Sequence, residues 1–164
     1  MQNVAPSHIL NLFKDKDITI VAGGQCDKGA EIDSSEVVVR LNDIHNIYPI
    51  QDKYIKSHGK KCDILFREHH ELFVIMGKVG DLEYANKIAD IGIKDVILWD
   101  GIGKSDDIAT RLTVASNGRF RVHILSNDYY PYRFLHYFLR PPKIPTTGLM
   151  AVTLIAMCSP MPIS

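Results

Sequence analysis

The sequence predicts an α/β protein: a mostly parallel sheet with helices on both faces, of the Rossmann-like type. Two observations lead there. Short, mostly apolar runs recur along the chain at Ile18–Val21, Val37–Val39, Cys62–Phe66, Asp95–Trp99 and Arg121–Leu125, the first two of them β-branched. Runs of that length and kind suit strands buried in a parallel sheet. Segments with helical spacing lie between the later runs, and alternation of strand and helix is the signature of βαβ units.

The elements follow in order. Ser7 is placed to cap a short helix through Lys14, with Ile9, Leu10, Leu12 and Phe13 giving it an apolar face. The first strand follows, then a turn carrying Gly23 and Gly24, an exposed connector, and the second strand, which closes in Arg40, Leu41 and Asn42. Asp43 to Lys61 is polar, aromatic and broken by Pro49 and Gly59, which predicts a loop with room for one helical turn. After the third strand, Leu72–Met76 is apolar but too short to assign by periodicity. Asp81 opens a helix to Ala89 that Gly92 ends. The fourth strand, a helix over Asp106–Ala115 and the fifth strand come next. Tyr129–Leu139 reads as helical after Pro131 and is stopped by Pro141 and Pro142. Thr146 or Thr147 then caps a long helix to Cys158, so apolar that it is expected to be buried. A further strand would normally follow such a helix, so the natural domain is expected to continue beyond Ser164.

Bulk composition excludes several classes. A chain of 164 residues, 46% hydrophobic and 23% charged, is sized for one domain, 1–164, with a real core. Nineteen basic residues balance nineteen acidic ones, so no general nucleic-acid surface is implied. Cys26, Cys62 and Cys158 are too few and too scattered for a disulfide framework or a spaced zinc site. The N-terminus lacks the pattern of a signal peptide, and no apolar run is long enough to span a bilayer. The expectation is a cytoplasmic protein without a membrane segment.

Two motifs carry the functional reading. Gly23 and Gly24 directly follow the first strand, where glycine permits a sharp turn and lets a ligand approach the backbone. Gly24 and Gly29 enclose four residues, as in a phosphate loop, but Ala30 and Glu31 stand where its Lys-Ser/Thr pair belongs. The turn is equally consistent with a plain tight turn. Late in the chain, Pro145-Thr146-Thr147-Gly148 precedes the apolar helix. Threonine hydroxyls and free N–H groups at a helix start can hold an anion, and they can equally serve as a cap. Together the two motifs could clasp one nucleotide from two sides, with Arg40 and Asn42 at a strand end facing it.

The two segments resemble the sialyltransferases. IVAGGQCDKGAEIDSSEVVVRLN is similar to the large sialyl motif, close to IVGNGPSLKGxxIDxxDVVIRLN, and PTTGLMAVTLIAMC to the small one, close to P[ST]TGxxxxxxALxxC. GKKCDILF, residues 59–66, also sits where this family places a strand entry. The resemblance implies a variant GT-A fold and a reaction: transfer of sialic acid from CMP-sialic acid to a glycan hydroxyl, with inversion and without a metal or other cofactor. It implies a nucleotide-sugar site at Gly23, Gly24, Asn42, Thr146, Thr147 and Gly148. A member carrying a membrane anchor would work in the Golgi lumen.

The chain departs from the family at defined positions. Gly23 replaces an asparagine, Cys26 a serine, and Ile18 the large-motif cysteine that normally pairs with the one falling on Cys158. A Cys26–Cys158 bridge is therefore not expected. The family's base histidine lies beyond the small motif, so no catalytic residue is assigned. His69 and His70 are expected in a loop, as solvated or capping groups, and His45, His123 and His136 as structural or exposed residues. Tyr129, Tyr130, Tyr132 and Tyr137 could line an acceptor site by stacking on a sugar, though at helical spacing they equally suit a core. Without a positioned base, which typically contributes about 10²–10⁴-fold, a sugar hydroxyl is a poor nucleophile. The alternative function is a non-catalytic nucleotide-binding or interaction module with the same fold.

Overall fold

In the chain's computed structural model, residues 6–23, 26–42, 52–99, 105–125 and 146–158 are described. In chain order the elements are α1 (Ser7–Leu10), β1 (Ile18–Val21), α2 (Gly29–Ser34), β2 (Val37–Leu41), α3 (Asp52–His58) and β3 (Ile64–Glu68). There follow α4 (His69–Val79), α5 (Asp81–Ile91), β4 (Asp95–Trp99), α6 (Ser105–Ser116), β5 (Arg121–Leu125) and α7 (Thr147–Cys158). The five strands form one sheet in the order β1-β2-β3-β4-β5, and every pairing is parallel.

Strand alternation divides the core in two. Leu65, Val96 and Leu98 point to one face, where Leu72 and Met76 of α4, Tyr84, Ala85 and Ile88 of α5, and Ile108 and Leu112 of α6 cover them. Val38 and Val21 share that face with Ile32 of α2. Val37, Val39, Ile64, Phe66, Ile97, Trp99 and Leu125 point to the other face, beneath Ile9 of α1 and Met150, Ala151 and Leu154 of α7. A sheet that adds each strand beside the last, with right-handed crossovers, puts its connecting helices on one side. The chain changes side after β5, and α7 lies back across β2 and β3.

The five strands and helices α5, α6 and α7 fall where the sequence puts them, within one or two residues. Five local readings need correction. The connector after the glycine turn is helix α2, with Ile32 as its one large buried residue. The segment expected to be a loop before β3 contains α3, nearly two turns long. Leu72–Met76 belongs to α4, and His69 is not in a loop: it is the first residue of α4 and only 3% exposed. Helix α7 buries one side only, and Leu149, Val152 and Met157 are exposed. The leading helix is also shorter than expected, ending at Leu10 before a run of turns to Asp15.

Glycine 29 does not serve a phosphate loop. It starts α2 where that helix crosses α3, and a Cβ there would strike the carbonyls of Ile55 and Lys56 and the nitrogen of Gly59. The helices touch backbone to backbone, joined by a 3.0 Å bond from the Lys28 N–H to the Ser57 carbonyl. Asp33 completes the junction by accepting from the N–H groups of Lys60 and Lys61.

Among the described residues, no helix is long and apolar enough to cross a membrane. Their cysteines, Cys26, Cys62 and Cys158, are all free thiols. Cys26 packs with the cluster on one face of the sheet and Cys158 with the cluster on the other, so the two cannot be bridged.

Candidate functional site

The crevice of an open parallel sheet lies beyond the carboxyl ends of its strands. The described residues at that rim are Gly23 after β1, Asn42 after β2, the Arg67-Glu68-His69 run closing β3, and Trp99 ending β4. The start of α7 stands over the same rim.

Asn42 takes a left-handed backbone, φ 59°, which asparagine tolerates better than most residues. Its N–H donates to the Phe66 carbonyl at 2.9 Å, which folds the end of β2 onto β3. Its side-chain Oδ1 is buried and accepts no hydrogen bond. A buried acceptor left unmatched is costly, and it is a feature that needs explaining.

At the start of α7, Thr146 is the cap: its Oγ1 accepts from the Leu149 N–H at 3.3 Å, three residues on. Thr147 turns inward, 6% exposed, and its Oγ1 accepts from the indole N–H of Trp99 at 3.1 Å. Gly148 lies against the end of β2, where a Cβ would meet Leu41 Cδ1 at 3.5 Å, an ordinary contact. Residues more than a hundred positions apart in the chain therefore meet at one corner: Gly148 of α7 lies on Leu41 of β2, with Asn42 directly after the strand and Thr146 directly before the helix.

Gly23 is two residues past Val21, whose register partner is Arg40, so it stands level with Asn42 on the rim. A Cβ at Gly23 would meet nothing within 4 Å, and its φ is not in the left-handed region. The turn does not require glycine there, and the space beside it is open. Gly24, the helix expected over Tyr129–Leu139 with its four tyrosines, His45 and His136 lie outside the described residues.

Arg40 is not a ligand group. It is 2% exposed on the face opposite α7, and its guanidinium donates to the carbonyls of His58, Gly59 and Lys61 at 2.8–3.0 Å. It staples the end of α3 to the sheet. His123 is structural, as expected. It and Arg121 grip Asp95 near the amino ends of β4 and β5, at 2.7 Å from His123 and 2.8 and 2.9 Å from Arg121. Burial alone would raise the Asp95 carboxyl, but the bonds from His123 and Arg121 outweigh it and hold it below the usual carboxylate range.

Sequence reading missed the run at the end of β3. Glu68 caps α4 by accepting from the Glu71 N–H at 3.1 Å, and its other oxygen lies 3.4 Å from His69 Nδ1. Arg67, 2% exposed, donates to the Tyr84 hydroxyl at 3.1 Å. The signal was present: Phe66-Arg67-Glu68-His69 puts three ionisable residues directly after an apolar strand, where a crevice would be. Among the described residues, no group of three or more His, Cys, Asp or Glu is placed to hold a metal ion.

A groove of about 340 Å³ opens beside β1, lined by Thr19, Val21, Cys26, Lys28, Ile32 and His58. It adjoins the glycine turn but lies under α2, across the sheet from α7. The rim corner, and not this groove, holds Asn42 and Thr146–Gly148.

Comparison of the chain with protein-family models, with curated proteins and with solved structures returns no match.

Proposed function

We propose that this chain is a sialyltransferase-like glycosyltransferase domain of the variant GT-A type, which binds CMP-sialic acid as donor for a glycan hydroxyl. The observation that carries the reading is the meeting of the two motif-like segments at the sheet's carboxyl rim. Gly148 packs on Leu41, next to Asn42, whose buried Oδ1 has no partner. A ribose hydroxyl is one group that would satisfy that acceptor. The N–H groups at the start of α7 suit the phosphate, since a helix N-terminus favours negative charge. The open space at Gly23 leaves room for the nucleotide beside the turn.

One observation favours the non-catalytic reading of the same site. The Thr147 hydroxyl is already engaged by Trp99, which gives this motif residue a fold-holding task independent of any reaction.

Calorimetric titration with CMP, UDP and GDP tests the nucleotide site itself. The expected result is binding of CMP in clear preference to the other two. Equal binding of all three, or none, would remove the basis for the assignment. Given CMP binding, hydrolysis or transfer from CMP-sialic acid separates the enzyme from the binding module.

A further inference from the structure

Arg67 is a buried cation with no anion beside it among the described residues. It is 2% exposed, no carboxylate among the described residues pairs with it, and its Nε is buried without any hydrogen-bond partner. Among the described residues its one hydrogen bond goes to the hydroxyl of Tyr84, whose ring centroid lies 5.9 Å from the guanidinium carbon. A buried charge of this kind is strongly unfavourable unless it is paired. Arg40, equally buried, also leaves one nitrogen, Nη1, without a partner, but three carbonyls engage the rest of its guanidinium.

The place of Arg67 gives the cost a purpose. It is the next-to-last residue of β3, and the carbonyl of the residue before it, Phe66, holds the Asn42 N–H. Asn42 Oδ1 is a second buried polar atom there without a partner. One unmatched acceptor and one unmatched cationic donor thus stand on neighbouring strands at the same rim. A ligand that satisfies both carries an anionic group and a hydroxyl. Guanidinium favours carboxylate and phosphate oxygens, which it can engage with two N–H groups at once.

We propose that Arg67 is an anion-binding residue of the rim crevice, and that its ligand is the phosphate of a phosphate ester whose hydroxyl reaches Asn42. The residue deepens the nucleotide-site reading of the same rim, and rests on it for the choice of a nucleotide phosphate. The anion site itself does not depend on that reading. Arg67 alternates with Phe66 and so lies on the α5 side of the sheet, from which it would hold the phosphate across the rim from the N–H groups at the start of α7.

The test is thermal unfolding and calorimetry of the full chain with inorganic phosphate, CMP and uncharged cytidine. It compares the unsubstituted protein with Arg67→Met, Arg67→Lys and the surface control Arg119→Met. Phosphate and CMP should raise the melting temperature saturably, as ligands of the native state do. Arg67→Met should melt higher than the unsubstituted protein in anion-free buffer, because it removes an unpaired charge. It should also weaken phosphate binding by about tenfold or more, the usual worth of a hydrogen bond to a charged group. Arg67→Lys should fall between, and Arg119→Met should bind normally. Phosphate binding that needs Arg67, with CMP no better than phosphate, keeps the anion site and refutes the nucleotide. CMP binding unchanged in Arg67→Met and Arg67→Lys keeps the nucleotide site and overturns the role of Arg67. Absence of any saturable response to phosphate overturns it too. If Arg67→Met fails to fold, Arg67→Lys decides by whether its phosphate affinity falls.

Discussion

Replacing Thr147 by valine should unfold the protein more readily before it affects any ligand. Valine keeps the shape of threonine and removes the oxygen that receives the Trp99 indole N–H at 3.1 Å. Both residues are buried, Trp99 at 2% and Thr147 at 6% exposure, so water cannot readily replace the lost acceptor. Depriving a buried donor of its acceptor costs about 1–3 kcal/mol. For a chain of this size that corresponds to a fall in melting temperature of roughly 3–10 °C. Thr147→Ser restores the oxygen and should recover most of the loss, less the packing of one methyl. The assay is urea and thermal denaturation followed by circular dichroism, without ligand. Trp99 is the single tryptophan of the chain, so its fluorescence reports the same contact directly. A Thr147→Val protein as stable as the original, with unchanged emission, would refute the reasoning. The hydroxyl would then be free for another task.

Asn42→Gly should weaken CMP binding by about 1–3 kcal/mol by removing a buried polar group from the site. Glycine is chosen because φ 59° would strain alanine. Its melting temperature should fall less than that of Val38→Ala, and calorimetry paired with a melt checks both. The Asp95 carboxyl is held below its free value, so its stabilisation should be full above about pH 4 and be lost as pH falls through the lowered folded-state value. Urea denaturation across that range should show a flatter acid limb for Asp95→Asn. Alkylation near pH 8 should modify half-buried Cys26 first. Burial pushes the thiols of Cys158 and Cys62 up to about 11 and about 12, so these should follow in that order. Mass spectrometry of cell-derived protein should find no Cys26–Cys158 bridge, and finding one would contradict their placement on opposite faces.

The legible parts of the fold were those with a strong local signal. The five strands announced themselves because parallel strands need apolar residues on both faces. The α5 helix was bounded by Asp81 and by Gly92, which takes the left-handed cap conformation, φ 86°. Helix α2 was hidden because one large residue, Ile32, anchors it, and one buried side chain makes no period. Helix α4 was hidden because His69 and Arg67 are buried beside its start, so polarity there gave the wrong sign. Of the candidate site, Asn42 and the threonine pair were singled out through residue type and position, and the structure brings their segments to one rim. What could not be read was which polar groups the fold satisfies internally. The two threonines look alike in sequence, yet Thr146 caps and Thr147 receives Trp99. The arginines 40 and 67 both lie inside strands, yet three backbone carbonyls engage the first and a single hydroxyl the second. Those distinctions depend on partners 17 to 48 residues away.

The strand order has a consequence for how the corner at Asn42 comes together. Each strand pairs with its predecessor in the chain, so the sheet can grow one crossover at a time, with only short loops to close. The seating of α7 on Leu41 is different, because it closes a loop of more than a hundred residues. In a hierarchical assembly that contact is the last to gain and the first to give way. Amide hydrogens at the start of α7 should accordingly exchange faster than those of β3 and β4. A ligand held between Asn42 and α7 would slow that exchange, acting as a rivet between the earliest and latest parts of the molecule to fold.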